Sequence, residues 1–450
     1  MNKKFCPLPW ISEAVRNNGD LRVCCHAKAS KSQGVYRKAD GSSFNATIDS
    51  LDEARNSELA KELRLSMLNN STHDVCTRCD QEDASGIRSR RQYETENWSH
   101  FFTLDDATKL TNDDGSIDPH KVPIAHYDLR FGNLCNLKCR MCGPTDSNQW
   151  YEDHVKVWGG QSFKDSHGKV ELIQNQKGRW ITKNNDYDWI DSENFWQQLE
   201  NKVHDLQHVY IVGGEPLLID QHYEMLQLCV DKGAAKNIMV EYNTNITNIP
   251  QRAWDIWKHF KRIQIGASID GINDINDYIR YPSKFSKISE NLHKFDQAEG
   301  NFNIWVACTI QAYNVHHVPQ FMKWMVEQDF KRVQSNIDEP FLTPHPLHNP
   351  KHLNMRILPP EAKEYIRNAY DEFINWVDEY SSRYNDPRKI KGYQNRARKI
   401  LNGYHNYMIQ EDWSDQLPKF WEYTKKLDEL RNQSYEETFP EMYEFIKKYV

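Results

Sequence analysis

The chain has 450 residues, 38% hydrophobic and 12% aromatic, with 57 basic against 64 acidic side chains and a formal charge of −7. That length accommodates two or three cores, and the slight acidity argues against general binding to nucleic acid or anionic membranes. No apolar segment follows Met-Asn-Lys-Lys-Phe-Cys-Pro and no run long enough to span a bilayer occurs, so a soluble, cytoplasmic protein is expected. Ten cysteines, most of them in tight local groups, point to metal rather than disulfides in a reducing compartment.

Residues 1–100 carry Cys6, Cys24, Cys25, Cys76 and Cys79. The Asn18-Gly19-Asp20 turn leads into Leu21-Arg-Val-Cys24-Cys25-His26. Ile48, Leu51 and Ala54, then Leu59, Leu63 and Met67, repeat at helical spacing and predict two amphipathic helices before Cys76-Thr-Arg-Cys79. Four cysteines including one Cys-x2-Cys pair, with His26 and His73 nearby, suit either a structural zinc or an iron–sulfur cluster. Residues 101–122, with Asp105-Asp106 and Asn112-Asp-Asp-Gly-Ser, read as a linker.

From 123 to 345 apolar, strand-like segments recur at 124–129, 207–212, 237–242, 263–269 and 303–310, with a weaker sixth near Arg332 to Ile337. Helical patterns lie between most of them, such as Tyr223 to Val230, so a parallel sheet with helices outside is expected. Residues 151–205 form a polar, Gly-containing insertion expected either to cover the barrel mouth or to be disordered. Pro344, Pro346, Pro350, Pro359 and Pro360 mark a boundary. Beyond it, over 346–450, Ile366, Ala369, Phe373 and Val377 predict a helical module.

The most informative stretch is Asp128-Leu-Arg-Phe-Gly-Asn-Leu-Cys135-Asn-Leu-Lys-Cys139-Arg-Met-Cys142. Such a tight Cys-x3-Cys-x2-Cys loop aims three thiolates at one iron–sulfur cube and leaves its fourth iron open to an exogenous ligand. The second segment ends in Val212-Gly213-Gly214-Glu215-Pro216, where glycines permit close backbone approach to a ligand. Together these motifs resemble the radical S-adenosylmethionine (SAM) superfamily, with Met141 at the position where an aromatic is usual. The resemblance implies a partial (β/α)6 TIM-like barrel, a 4Fe–4S cluster on Cys135, Cys139 and Cys142, and SAM chelated to the open iron. It also implies reductive cleavage of SAM to a 5′-deoxyadenosyl radical that abstracts hydrogen from a substrate, driven by an external low-potential donor such as flavodoxin or ferredoxin. SAM contacts implied in the same way are Gly213, Gly214, Glu215 and Pro216 for the methionine ammonium, and Asn243 for ribose. Ser268 and Asp270 lie at the end of strand four, Arg280 suits the carboxylate as a bidentate fork, and Ile310 is expected to pack on adenine.

The N-terminal layout resembles the SPASM/twitch auxiliary-cluster domains of that superfamily, here placed before the barrel. It implies one auxiliary 4Fe–4S cluster on Cys6, Cys24, Cys76 and Cys79, with Cys25 as the alternative to Cys24. Relatives of this kind imply a peptide or protein side chain as substrate, with a nucleotide or small metabolite as the alternative. A reading from another class is a non-catalytic zinc or iron–sulfur scaffold. Neither a membrane nor a nucleic acid is expected as partner, although Arg88, Arg90 and Arg91 are candidates to grip a phosphate. Cys229 and Cys308 read as buried apolar packing.

Overall fold

The computed structural model describes residues 2–29, 32–333 and 342–450. Its main feature is an eight-stranded sheet. In chain order its strands are β1 (Ser12–Val15), β2 (Leu21–Arg22) and β3 (His126–Arg130). A separate three-stranded sheet, β4 (Ser162–Asp165), β5 (Gly168–Gln174) and β6 (Trp180–Thr182), falls inside the insertion. The main sheet resumes with β7 (His208–Val212), β8 (Met239–Thr244), β9 (Arg262–Ser268), β10 (Phe302–Ile310) and β11 (Thr343–Pro346). The spatial order is β11-β10-β9-β8-β7-β3-β1-β2. Every pairing is parallel except that of β2 with β1.

Alternation within these strands decides which face does what. Val209 and Ile211, Val240 and Tyr242, Ile263 and Ile265, and Ile304, Val306, Cys308 and Ile310 form one buried apolar face. Helices cover it: Phe302 meets Trp254 and Trp257 of the Gln251–Trp257 helix, and His222 of the Asp220–Asp231 helix meets Tyr242. Burying one such Val, Ile or Leu side chain contributes about 1.5–3 kcal/mol, so this face holds the layers together. The opposite face is polar. One register row runs from β2 to β10 as Arg22, Ala14, Asp128, Tyr210, Glu241, Gln264 and Asn303. A polar inner face with helices on the other side is how a partial barrel encloses a site rather than a core.

The sheet is open, with β2 and β11 at its edges. The N-terminal residues span that gap. His26, four residues past β2, lies 3.8 Å from Glu82 of the Thr77–Ala84 helix. The same carboxylate meets His348, two residues past β11, at 3.2 Å. The first hundred residues therefore both add strands to the sheet and bridge its two edges.

Five strand expectations hold to within two residues. The sixth does not. Arg332 and Val333 carry only an isolated bridge to Ile304, residues 334–337 lie outside the described residues, and the edge strand is β11. Pro344 and Pro346, expected as a boundary, belong to that strand; an edge position tolerates proline because one side needs no N–H donor. The stretch expected as a linker contains a helix, Leu104–Leu110, closed by a Thr103–Asp106 capping box. The insertion is folded: β4–β6 build a small second core of Tyr151, Phe163, Val170, Leu172 and Tyr187. The C-terminal helices Pro360–Ser381, Pro387–Ile409 and Leu417–Arg431 occur as expected. No helix is long and apolar enough to cross a membrane among the described residues.

Candidate functional site

The cysteine triplet begins five residues past β3, on a loop whose backbone is tied from three directions. Lys138 and Arg140 each donate their N–H at 2.8 Å to the carbonyls of Tyr281 and Ile279. Trp150 of the Trp150–Trp158 helix donates to the Cys139 carbonyl at 2.9 Å, and Ser147 to that of Leu137 at 2.6 Å. Tyr423, from the Leu417–Arg431 helix, donates to the Arg140 carbonyl at 2.6 Å. Such ties leave the side chains of Cys135, Cys139 and Cys142 free to converge while the main chain stays fixed. The neighbouring Cys142 thiol lowers Cys139, and Cys139 together with burial raises Cys142. Burial, then Cys139, pushes the Cys135 thiol up to about 12. Among the described residues no carboxylate or imidazole hydrogen-bonds to any of the three, so the donor set is three thiols with no fourth protein ligand among their partners. That set fits a cluster with one open corner.

The Gly-Gly-Glu-Pro turn after β7 packs directly on this loop. Gly214 has φ +52°, and a Cβ there would lie 2.1 Å from the Leu134 carbonyl oxygen; Gly213 has φ +85°, with Arg130 and Asn17 in its way. Only glycine permits both the conformation and the approach. Glu215 is buried and its N–H donates to that same Leu134 carbonyl at 2.8 Å. Its carboxylate accepts from Leu217 N at 3.1 Å, Thr244 Oγ1 at 2.6 Å and Asn245 N at 2.7 Å. Burial raises its pKa against these bonds. Glu215 thus joins the ends of β7 and β8, and Pro216 opens the short turn that follows.

Asn243 donates to the Tyr210 hydroxyl at 2.5 Å on the polar face. Ser268 is half-buried opposite Ala307 on that face. Asp270 is buried and meets Arg280 at 2.7 Å, while its other oxygen accepts from Thr309 N at 2.7 Å. Burial works against the Arg280 charge, but Asp270, Cys139 and Cys142 outweigh it. Its terminal nitrogens make no hydrogen bond to another described residue, so a forked donor stands near the cysteines. Ile310 is a correction. Its register puts it with Ile304, Val306 and Cys308 on the helix-covered face, and it is fully buried there, so it does not present a surface for adenine. Thr309 shares the inner face instead.

A second group of thiols lies at the N-terminal bridge. Cys6, Cys24, Cys76 and Cys79 line one small cavity with apolar walls from Leu8, Leu63 and Met67. Burial raises all four, and Cys24 raises each of the other three further. This set fits a four-cysteine cluster. Cys25 is not in that lining; burial, then Asp128, pushes its thiol up to about 12, and Arg90 and Arg130 act on it from the polar face. A ligand-like trio that the sequence did not single out adjoins the cavity: His26, Cys79 and Glu82 bring ligand atoms within 4.8 Å of one another. Glu82 was hidden because it reads as one more polar residue of a short amphipathic helix. Arg88, Arg90 and Arg91 do not form a phosphate grip. They pair with Glu96, with Glu94, and with Asp80 and Asp83 respectively. A cleft of about 480 Å³ lies below the strand N-termini around His204, Gln207 and Lys236, away from both cysteine groups.

Residues 129–325 match the family model described as the radical SAM superfamily. No curated protein matches the chain. A solved structure it resembles is that of Streptococcus suis SuiB bound to the precursor peptide SuiA, at 15% identity and a TM-score of 0.29. The match covers 64% of this chain and 57% of SuiB, so the chain spans less than two thirds of that protein. The matched residues hold the triplet loop, the Gly-Gly-Glu-Pro turn and Arg280, which follow β3, β7 and β9, so this part of the chain is similar to the radical SAM superfamily.

Proposed function

We propose that Cys135, Cys139 and Cys142 hold a 4Fe–4S cluster, that SAM binds beside it, and that the enzyme abstracts hydrogen from a peptide or protein side chain. The observation that carries this reading is the rigidly tied three-thiol loop, with the uncommitted fork of Arg280 beside it. Held by these three thiolates, a reduced cluster would supply the single electron for reductive cleavage of SAM to methionine and a 5′-deoxyadenosyl radical, the electron coming from an external low-potential donor.

The chain's own residues bind and orient. Arg280, held through Nε by Asp270, offers its two terminal nitrogens to a carboxylate. Glu215 Oε2 accepts from Asn245 N and keeps a further acceptor site for an ammonium. Gly213 and Gly214 bring the main chain close without a side chain in the way. Asn243, Ser268 and Thr309 line the inner face with groups suited to sugar hydroxyls. Exclusion of stray solutes falls to the edge bridge and the insertion, because a reactive carbon radical takes hydrogen from any thiol or weak C–H bond that reaches it.

We further propose that Cys6, Cys24, Cys76 and Cys79 hold one auxiliary 4Fe–4S cluster. Two cubanes require about eight irons per chain. Anaerobic purification with iron and sulfide analysis tests both assignments. The wild type is expected near eight of each and Cys76→Ala near four; a colourless protein containing zinc would contradict them.

A further inference from the structure

Beside the Gly-Gly-Glu-Pro turn, and outside the residues assigned to SAM, a pocket is lined by Arg16, Arg22 and Arg130 with Asn17, Thr145, Asp146 and Asp165. The three arginines are not equivalent. Arg16 is committed: it bonds Asp165 at 2.8 Å and Gln33 at 2.6 Å. Arg22 is 2% exposed, its side chain makes no hydrogen bond to another described residue, and its Nε is buried without a partner. The Nε of Arg130 is likewise unpartnered, and its nearest carboxylate, Asp128, stands off at 3.9 Å. Asn17 points an unsatisfied Oδ1 into the same corner while its amide donates to Thr145 O.

A buried guanidinium without a partner is expensive, and proteins keep one chiefly where something pairs with it. The carboxylates nearby compensate Arg130, which Asp128 and, more weakly, Asp146 hold charged against burial, but they give Arg22 no hydrogen bond. Asp165 is held by Arg16 and by the Tyr187 hydroxyl at 3.0 Å. Asp128 is left between two cations. Register places Arg22 in the row with Asp128 and Tyr210 on the inner face. Gly213, whose added Cβ would strike Arg130, fixes the pocket next to the turn.

We propose that Arg22 and Arg130 form an oxyanion site that receives a carboxylate or phosphate of the substrate and so orients it in the barrel. This rests on the reading of the inner face as the substrate chamber. Two forked donors converging on one planar or tetrahedral anion would supply both charge and direction. A peptide would present a C-terminal or side-chain carboxylate there; a phosphorylated substrate would present its phosphate.

The test is calorimetric titration of the full, cluster-loaded chain with inorganic phosphate and with glutarate, at constant ionic strength set by chloride. No reductant is used, so the result does not depend on SAM cleavage. Saturable binding of at least one anion is expected, weakened at least tenfold in Arg22→Gln and in Arg130→Gln and partly restored in Arg22→Lys. Whichever anion binds tighter names the source. Arg22→Gln should also unfold at the same or a higher denaturant concentration, because it removes an unpaired buried charge. Absence of saturable binding in the wild type overturns the proposal, as does binding unchanged in both variants. Competition between phosphate and SAM also overturns it, by assigning the arginines to the SAM carboxylate.

Discussion

Arg140 and Asp428 are 288 residues apart in sequence and form a buried ion pair one residue beyond the second cysteine of the triplet. Tyr278 completes the group: its hydroxyl donates to Asp428 at 2.8 Å, its carbonyl accepts from Arg140 Nε at 3.0 Å, and its ring lies 3.6 Å under the guanidinium. The C-terminal module thus holds the cluster loop in place through a charge that cannot reach water.

Asp428→Ala is expected to cost about 3 kcal/mol, since removing one partner strands a buried cation. Arg140→Met together with Asp428→Ala should recover part of the loss. Urea denaturation of the four proteins of this cycle measures the coupling. The single variant should also retain less iron on gel filtration than wild type, because the loop it anchors carries the thiols.

Gly214→Ala should be severe. The new Cβ meets the Leu134 carbonyl at 2.1 Å and the φ of +52° is itself unfavourable, so a loss of roughly 2–3 kcal/mol is expected. Gly178, also at positive φ (+73°) but facing open space, is the comparison; Gly178→Ala should cost about 1 kcal/mol. Equal effects in thermal denaturation would contradict the packing of the turn on the triplet loop.

Much of this site was legible in the sequence, and the exceptions have physical reasons. The triplet and the Gly-Gly-Glu-Pro turn stand out because local spacing carries their chemistry. Strand β11 did not, because Thr343-Pro-His-Pro has neither apolar alternation nor a full set of N–H donors. Strands β1 and β2 are too short to show periodicity, yet they carry Arg22 into the inner row and Cys24 to the second thiol group. The strands of the insertion were present as Ser162-Phe-Lys-Asp and Gly168-Lys-Val-Glu-Leu-Ile-Gln, hidden by their overall polarity. Ile310 failed for want of register: a strand end does not say which face its last residue takes until the neighbouring strand is placed.

Acid should destabilise the fold through buried histidines. His222 is bonded to the Tyr242 hydroxyl at 2.7 Å and is held down to about 3 by burial and then by Arg252. At pH 7 it is neutral both folded and unfolded. Below its unfolded value of about 6.5 only the unfolded chain takes the proton, so stability is lost as pH falls from there toward the folded value. At pH 5 the loss is about 2 kcal/mol from this residue. In His222→Gln the slope of urea midpoint against pH between 6.5 and 5 should be shallower by up to one proton.

The measurement that bears most directly on the central claim is 5′-deoxyadenosine formation by the reconstituted enzyme with SAM and dithionite under anaerobic conditions. The wild type is expected to form it with one methionine per nucleoside, Cys139→Ala to form none, and Cys76→Ala to retain it. Normal SAM cleavage by Cys139→Ala would contradict the assignment of the triplet as the cluster that splits SAM.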